Sequence, residues 1–205
     1  MLTASQALER LRDGNRRFVS GKQGDTLVSH SLELAKSKEP FAIVLGCSDS
    51  RAPAEIVFDQ GLGDLFVIRV AGNIVAPSQV GSVEFAASRF GTRLVVVLGH
   101  SECGAVAATL EQLREPTAAR SRNLRSIVDR VRPSVEGLFQ TELKNDPEKL
   151  AGYATRANVG NSVSHLRHGS EILEDLIERE GLRIVGAVYS LDTGVVEFFD
   201  GADAE

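Results

Sequence analysis

Residues 94–114 read LVVVLGHSECGAVAATLEQLR. An apolar run rich in β-branched residues leads into Gly99-His100-Ser101-Glu102-Cys103-Gly104, and a stretch with helical spacing of apolar residues follows. A strand, a sharp turn and a helix in immediate succession form the repeating unit of an α/β protein. Near-continuous apolar runs of this length suit strands buried on both faces of a parallel sheet. Residues 41–46 (FAIVLG) and 65–70 (LFVIRV) are runs of the same kind. Between them and residue 94 lies a helical stretch from Pro77 to Phe90, with Gly91 as its stop signal.

The flanks extend the pattern. Residues 3–19 predict a helix that Thr3 or Ser5 can cap, followed by the polar break SGKQGD. Residues 104–114 and 121–140 predict two helices separated by REPTAAR, with Pro133 bending or ending the second. The stretch from Asn158 to Glu180 carries Val159, Val163, Leu166, Leu173, Leu176 and Ile177 on one side, with Gly181 as a C-cap. LRIVGAVYSL and VVEFF then read as two strands around the turn DTG. The expected fold is α/β, with a central, mainly parallel sheet flanked by helices. The whole chain, 1–205, reads as one domain, and the pattern leaves the strand order open.

Composition narrows the function. The chain is 42% hydrophobic and 25% charged, with a net charge of −5. That balance argues against a nucleic-acid partner, since no excess of cations exists to displace counterions from phosphates. No apolar segment approaches the roughly 20 residues needed to span a bilayer. The N-terminal MLTASQALERLRDGNRRF lacks the apolar core of a signal peptide, so a cytoplasmic protein with two reduced thiols is expected.

Two chemistries compete for the 99–104 turn. A serine-hydrolase elbow needs G-x-S-x-G, and here Cys103 takes the second glycine position. Only His165 and His168 lie downstream, both on the polar side of a helix. Ser101 reads better as a cap for a helix starting near Glu102. The alternative is a metal site. His100 and Cys103 stand three apart at a strand-to-helix junction, and Cys47 follows a second apolar run and a glycine. In a parallel sheet the C-terminal ends of neighbouring strands meet where ligands bind. Two sulfurs and one imidazole suit zinc, and three protein ligands leave the fourth position open to water or substrate. Such a water loses its proton near neutral pH, so activity should titrate between about pH 6 and 9. Asp49 and Arg51 follow Cys47 closely. An ionised Asp49 can orient the nucleophile, and the Arg51 fork can hold that carboxylate.

These residues resemble those of the β-class carbonic anhydrases of bacterial type. The family signature C-x-D-x-R stands here as Cys47-Ser48-Asp49-Ser50-Arg51, and H-x-x-C as His100-Ser101-Glu102-Cys103. The likeness continues through GDLFVIRVAGN (63–73) and GSVEFAA (81–87). The resemblance implies one Zn2+ per chain, bound by Cys47, His100 and Cys103, with Asp49 and Arg51 as the catalytic dyad. It implies reversible hydration of CO2 to bicarbonate and a proton through zinc-bound hydroxide. In a closed low-pH state of such enzymes the equivalent of Asp49 becomes a fourth ligand; near pH 8 the dyad is expected intact. Gly104, Phe66 and Phe85 match substrate-pocket positions. An N-terminal helical arm, residues 1–38, is implied to embrace a partner. The assembly is then a homodimer with the pocket at its interface, a dimer that in such enzymes is often paired into a tetramer. Gly61 stands where plant members carry a substrate-contacting Gln. Val44 replaces the Trp of a regulatory bicarbonate pocket whose other members match Arg69 and Tyr189, so that regulation is not expected. The competing functions are hydrolysis of carbon disulfide or carbonyl sulfide on the same zinc set, and a non-catalytic redox-sensing zinc module, for which Asp49 and Arg51 have no use.

Overall fold

The computed structural model describes residues 2–23, 39–115 and 121–202. Residues 24–38 of the implied arm, together with residues 116–120 of the REPTAAR break, lie outside them. The apolar runs form strands β1 (Ala42–Gly46), β2 (Leu65–Arg69) and β3 (Leu94–His100), followed late in the chain by β4 (Arg183–Tyr189) and β5 (Val196–Asp200). The sheet order is β2-β1-β3-β4-β5. All pairings are parallel except β4 with β5. From β1 the chain turns to β2 on one side, and the next crossover places β3 on the other. The C-terminal ends of β1 and β3 therefore flank the crevice where the winding direction reverses.

Alternation along the strands feeds two cores. Val44, Leu94, Val96, Val185 and Ala187 face helix α1 (Ala4–Val19) and the short α2 (Ala54–Val57). Ile43, Leu45, Val95, Val97 and Ile184 face α3 (Pro77–Phe90), α6 (Pro147–His168) and α7 (Glu171–Glu180). The N-terminal helix starts on a capping box made by Thr3 and Gln6. It packs on its own sheet through Ala7, Leu8 and Leu11. Asn15 fastens it there, donating to the carbonyls of Val57 and Gly194 and accepting from the Val196 amide. A third cluster joins α4 (Gly104–Arg114), α5 (Arg122–Val135) and α6 around Cys47 and Cys103. No helix among the described residues is long and apolar enough to cross a membrane.

Three local expectations are corrected. The amphipathic stretch ending at Glu180 is two helices, because Ser170 accepts from the Leu173 amide and starts α7 afresh. The first of the two begins at Pro147, well before Asn158. Pro133 lies inside α5, which runs two residues further and passes into a 3-10 turn over Glu136–Gln140. Ser101 caps no helix: α4 starts after Cys103, and the Ser101 hydroxyl accepts from the Leu191 amide instead.

Candidate metal centre

Cys47 sits one residue past β1 and His100 is the last residue of β3, so parallel pairing sets them side by side. The chain then folds back sharply. Glu102 takes a left-handed conformation (φ 56°), which turns Cys103 toward the same point as it opens α4. The ligand atoms of Cys47, His100 and Cys103 lie within 4.8 Å of one another, and all three residues are buried.

Protons around these atoms show what the cluster can hold. The His100 Nδ1 lies 2.7 Å from the Ser101 carbonyl, which can only accept, so Nδ1 carries the hydrogen. Nε2 is then a bare lone pair, buried and without a hydrogen-bond partner among the described residues. A neighbour that fixes one ring nitrogen and frees the other is the usual support of a metal-binding histidine. The Cys103 thiol, donating to Cys47, holds the Cys47 thiol well below the usual thiol range in spite of burial, helped by His100 and by the Gly72 and Asp49 amides. Cys103 is pushed up, because its neighbour takes the negative charge first and burial adds to the effect; the Ala105 and Val106 amides at the start of α4 work in the opposite direction. Burial disfavours a charged His100, yet contact with Cys47 and the Ser101 carbonyl outweighs it and the net shift is upward. A divalent cation among the three would displace those protons. The donor set fits a metal that prefers sulfur and nitrogen to oxygen.

The dyad stands beside this cluster. Arg51 meets Asp49 with its fork, Nε to Oδ1 at 3.0 Å and Nη2 to Oδ2 at 2.9 Å, and its backbone N–H adds a third bond at 2.9 Å. These contacts hold the Asp49 carboxyl far below the usual carboxylate range and raise Arg51. Asp49 Oδ2 is 4.0 Å from His100 Nε2. In this arrangement Asp49 is committed to Arg51 and stands outside the three-residue cluster.

Three further residues hold the site, and spacing alone did not single them out for this work. Glu102, between the two ligands, pairs with Arg51 Nη1 at 3.0 Å. Arg69, at the end of β2, donates to the carbonyls of Cys47 (3.0 Å) and Asp49 (2.5 Å) and so fixes the loop bearing both. The Gly72 amide donates to Cys47 Sγ at 3.3 Å. Sequence carries a signal for the last, since a glycine shortly after a strand invites a left-handed turn, and Gly72 has φ 72°.

Gly104 is the exposed first residue of α4, adjacent to Cys103. Phe66, Phe85 and Phe90 form a group of tilted and edge-on rings with centroids 5.7–6.3 Å apart. Within one chain they are remote from the cluster: Phe66 pairs with Ile43, four residues before Cys47, or roughly 13 Å along the strand. Ser101 is tied to Leu191, and His165 and His168 are exposed on α6, so the described residues bring no histidine onto that hydroxyl as a hydrolase would need.

Comparison with known proteins agrees with this geometry. The carbonic anhydrase family model matches residues 42–196. Carbonic anhydrase 2 of Mycobacterium tuberculosis is 37% identical over 195 residues, covering 92% of this chain and 89% of that protein. The carbonic anhydrase of Mycolicibacterium smegmatis is 39% identical over 196 residues, covering 93% and 91%. Among solved structures, a β-carbonic anhydrase of Aspergillus fumigatus superposes with a TM-score of 0.73 at 25% identity, covering 84% of this chain and 81% of that one. Tetrameric β-carbonic anhydrases of Sordaria macrospora share the fold, with a TM-score of 0.73 at 24% identity over 82% and 84% of the two chains. Matches that run through both ligand-bearing turns and nearly the whole chain leave one assignment: the chain belongs to the β-carbonic anhydrase family.

Proposed function

We propose that this chain is a zinc-dependent carbonic anhydrase that interconverts CO2 and water with bicarbonate and a proton. The observation that carries the reading is the convergence of Cys47, His100 and Cys103 with an Arg-clamped Asp49 at their side. These three residues would hold the zinc. When bound, zinc supplies Lewis acidity strong enough to make water a nucleophile at neutral pH. Asp49, ionised and fixed in direction by Arg51, accepts a hydrogen bond from the nucleophile and so turns its lone pair toward the carbon of CO2. Arg51 keeps the carboxylate from drifting, and Glu102 holds the remaining end of the guanidinium. The proton released in hydration leaves to solvent. Gly104, exposed beside Cys103, serves as a backbone contact for the substrate.

A second copy of the chain completes the pocket. β2 is an edge strand with a half-buried apolar sequence, and Phe85 is 54% exposed on the neighbouring α3. An apolar edge of this kind invites pairing. Phe66 and Phe85 then serve as apolar walls for the partner's site, where a small uncharged substrate loses little on leaving water. Ligand thiols also need a reducing compartment, which favours the cytoplasm.

Zinc content and stopped-flow CO2 hydration, measured on the parent and on Asp49→Ala, test the proposal. The expected result is one zinc in each chain of both proteins, with hydration falling about 100-fold in the variant. A zinc-loaded parent that does not hydrate CO2, or a variant as fast as the parent, overturns it.

A further inference from the structure

The helix α6 reaches the metal cluster by two routes, and neither involves a metal ligand. On one side Val159 and Thr155 press against Gly99, the residue before His100. On the other, two buried polar residues one turn apart, Asn158 and Ser162, stand on the buried face among Ala154, Val159, Val163 and Leu166. Asn158 Nδ2 donates to the Gly72 carbonyl at 2.8 Å, and Ser162 Oγ donates to the Asn73 carbonyl at 3.0 Å.

The segment they grip is unusual. Gly72 and Asn73 are both left-handed (φ 72° and 43°), a conformation that residues other than glycine adopt at a cost. A Cβ on Gly72 would stand 3.0 Å from Ala105 Cβ, so α4 crowds the turn as well. The turn is closed by the Asn73 amide bonding the Val70 carbonyl. Its effect is to aim the Gly72 N–H at Cys47 Sγ. Asn158 Oδ1 and Asn73 Nδ2 are buried without partners among the described residues. A face built for packing alone would carry alanine or valine there and avoid that penalty.

We propose that Asn158 and Ser162 are positioning residues that hold the Gly72 amide on the Cys47 sulfur and thereby set how strongly that ligand donates to the metal. The inference rests on the metal reading of the site. A hydrogen bond to a ligand sulfur withdraws electron density from it, and such outer contacts change metal affinity or activity about 10–100-fold when removed. Asn158 and Ser162 fix the backbone on the far side of the turn, so the amide cannot rotate off the sulfur without breaking buried bonds.

The experiment uses cobalt(II) in place of zinc, because the sulfur-to-cobalt charge-transfer absorption reports the sulfur directly, together with the rate of zinc loss to a chelator. Ser162→Ala and Asn158→Leu are expected to move the charge-transfer band to lower energy as the sulfur regains electron density and, because the turn bracing the Cys47 sulfur is loosened, to speed zinc loss about 10-fold or more. Ser162→Thr keeps the hydroxyl and is expected to behave as the parent. Val163→Ala, a packing change on the same helix, is expected to lower thermal stability and leave the band in place. The inference is overturned if Ser162→Ala and Asn158→Leu fold with parental circular dichroism, band and zinc loss. It is equally overturned if Val163→Ala moves the band as far as they do. A parent that takes up neither ion overturns the metal reading itself, and this inference with it.

Discussion

Replacing Gly99 by alanine adds one methyl group directly before His100, and the structure says what that methyl meets. It would stand 2.5 Å from Val159 Cγ2 and 3.4 Å from Thr155 Cγ2. Carbon atoms rest at about 3.5–4.0 Å, so β3 and α6 must part by about 1 Å. Val159 cannot swing away, because a β-branched side chain in a helix has one strongly preferred rotamer. Overpacking of this kind costs about 1–3 kcal/mol. For a domain of this size that corresponds to a fall in melting temperature of roughly 2–12 °C. Activity should suffer more than stability, since a 1 Å displacement at a reacting centre costs on the order of 100-fold. Val159→Ala alone loses roughly 1.6 kcal/mol of buried methyl groups. Combined with Gly99→Ala it opens the space that the new methyl needs. Calorimetry and stopped-flow hydration on the four proteins of this cycle check the reasoning. The double variant is expected to be more stable than the sum of the singles by about 0.5–3 kcal/mol, and faster than Gly99→Ala. Parental melting and turnover in Gly99→Ala, or strict additivity in the cycle, would refute the claim that α6 braces His100 through this contact.

Two further outcomes follow from the geometry. The Asp49 carboxyl is depressed by Arg51, so its contribution to stability is present above its unfolded value near 3.8 and lost only as pH falls through the lower folded value. The urea-midpoint difference between parent and Asp49→Asn should therefore be flat from about pH 9 to 5 and shrink below about pH 4; a change between pH 6 and 8 would mean that the carboxyl titrates there. Phe85→Glu places a charge on the exposed aromatic of α3, and sedimentation is expected to show a monomer with unchanged helicity and little activity. A variant that sediments with the parent sinks the role given to that face.

Much of the fold was legible because strands buried on both faces must be apolar throughout. The runs at 42–46 and 94–98 satisfy that condition, whereas 65–69 is a half-buried edge strand that ends in Arg69, and Gly91 and Gly181 end their helices left-handed as their positions imply. The break at Gly169-Ser170 was hidden because Val163 and Leu166 before it and Leu173 and Leu176 after it enter one cluster, so the apolar stripe continues where the backbone does not. The cluster of two sulfurs and an imidazole was readable from residue type and from the rule that parallel strands end together. Its supports were not. Arg69 and Gly72 act through backbone groups, and Asn158 lies 86 residues beyond the glycine whose carbonyl it holds. No local pattern marks a long-range bond to a main-chain oxygen.

The placement of the three ligands at the C-terminal ends of β1 and β3 has a mechanical side. These strands are neighbours at the middle of the sheet, yet a helix, an edge strand and a further helix separate them along the chain. A cation bound at their tips is a cross-link that ties the ends of a long loop, the kind of closure that limits how far an unfolded chain can spread. Metal loading should thus raise resistance to proteolysis throughout the sheet and slow its opening, so that acquiring the cofactor and locking the tertiary structure become one event.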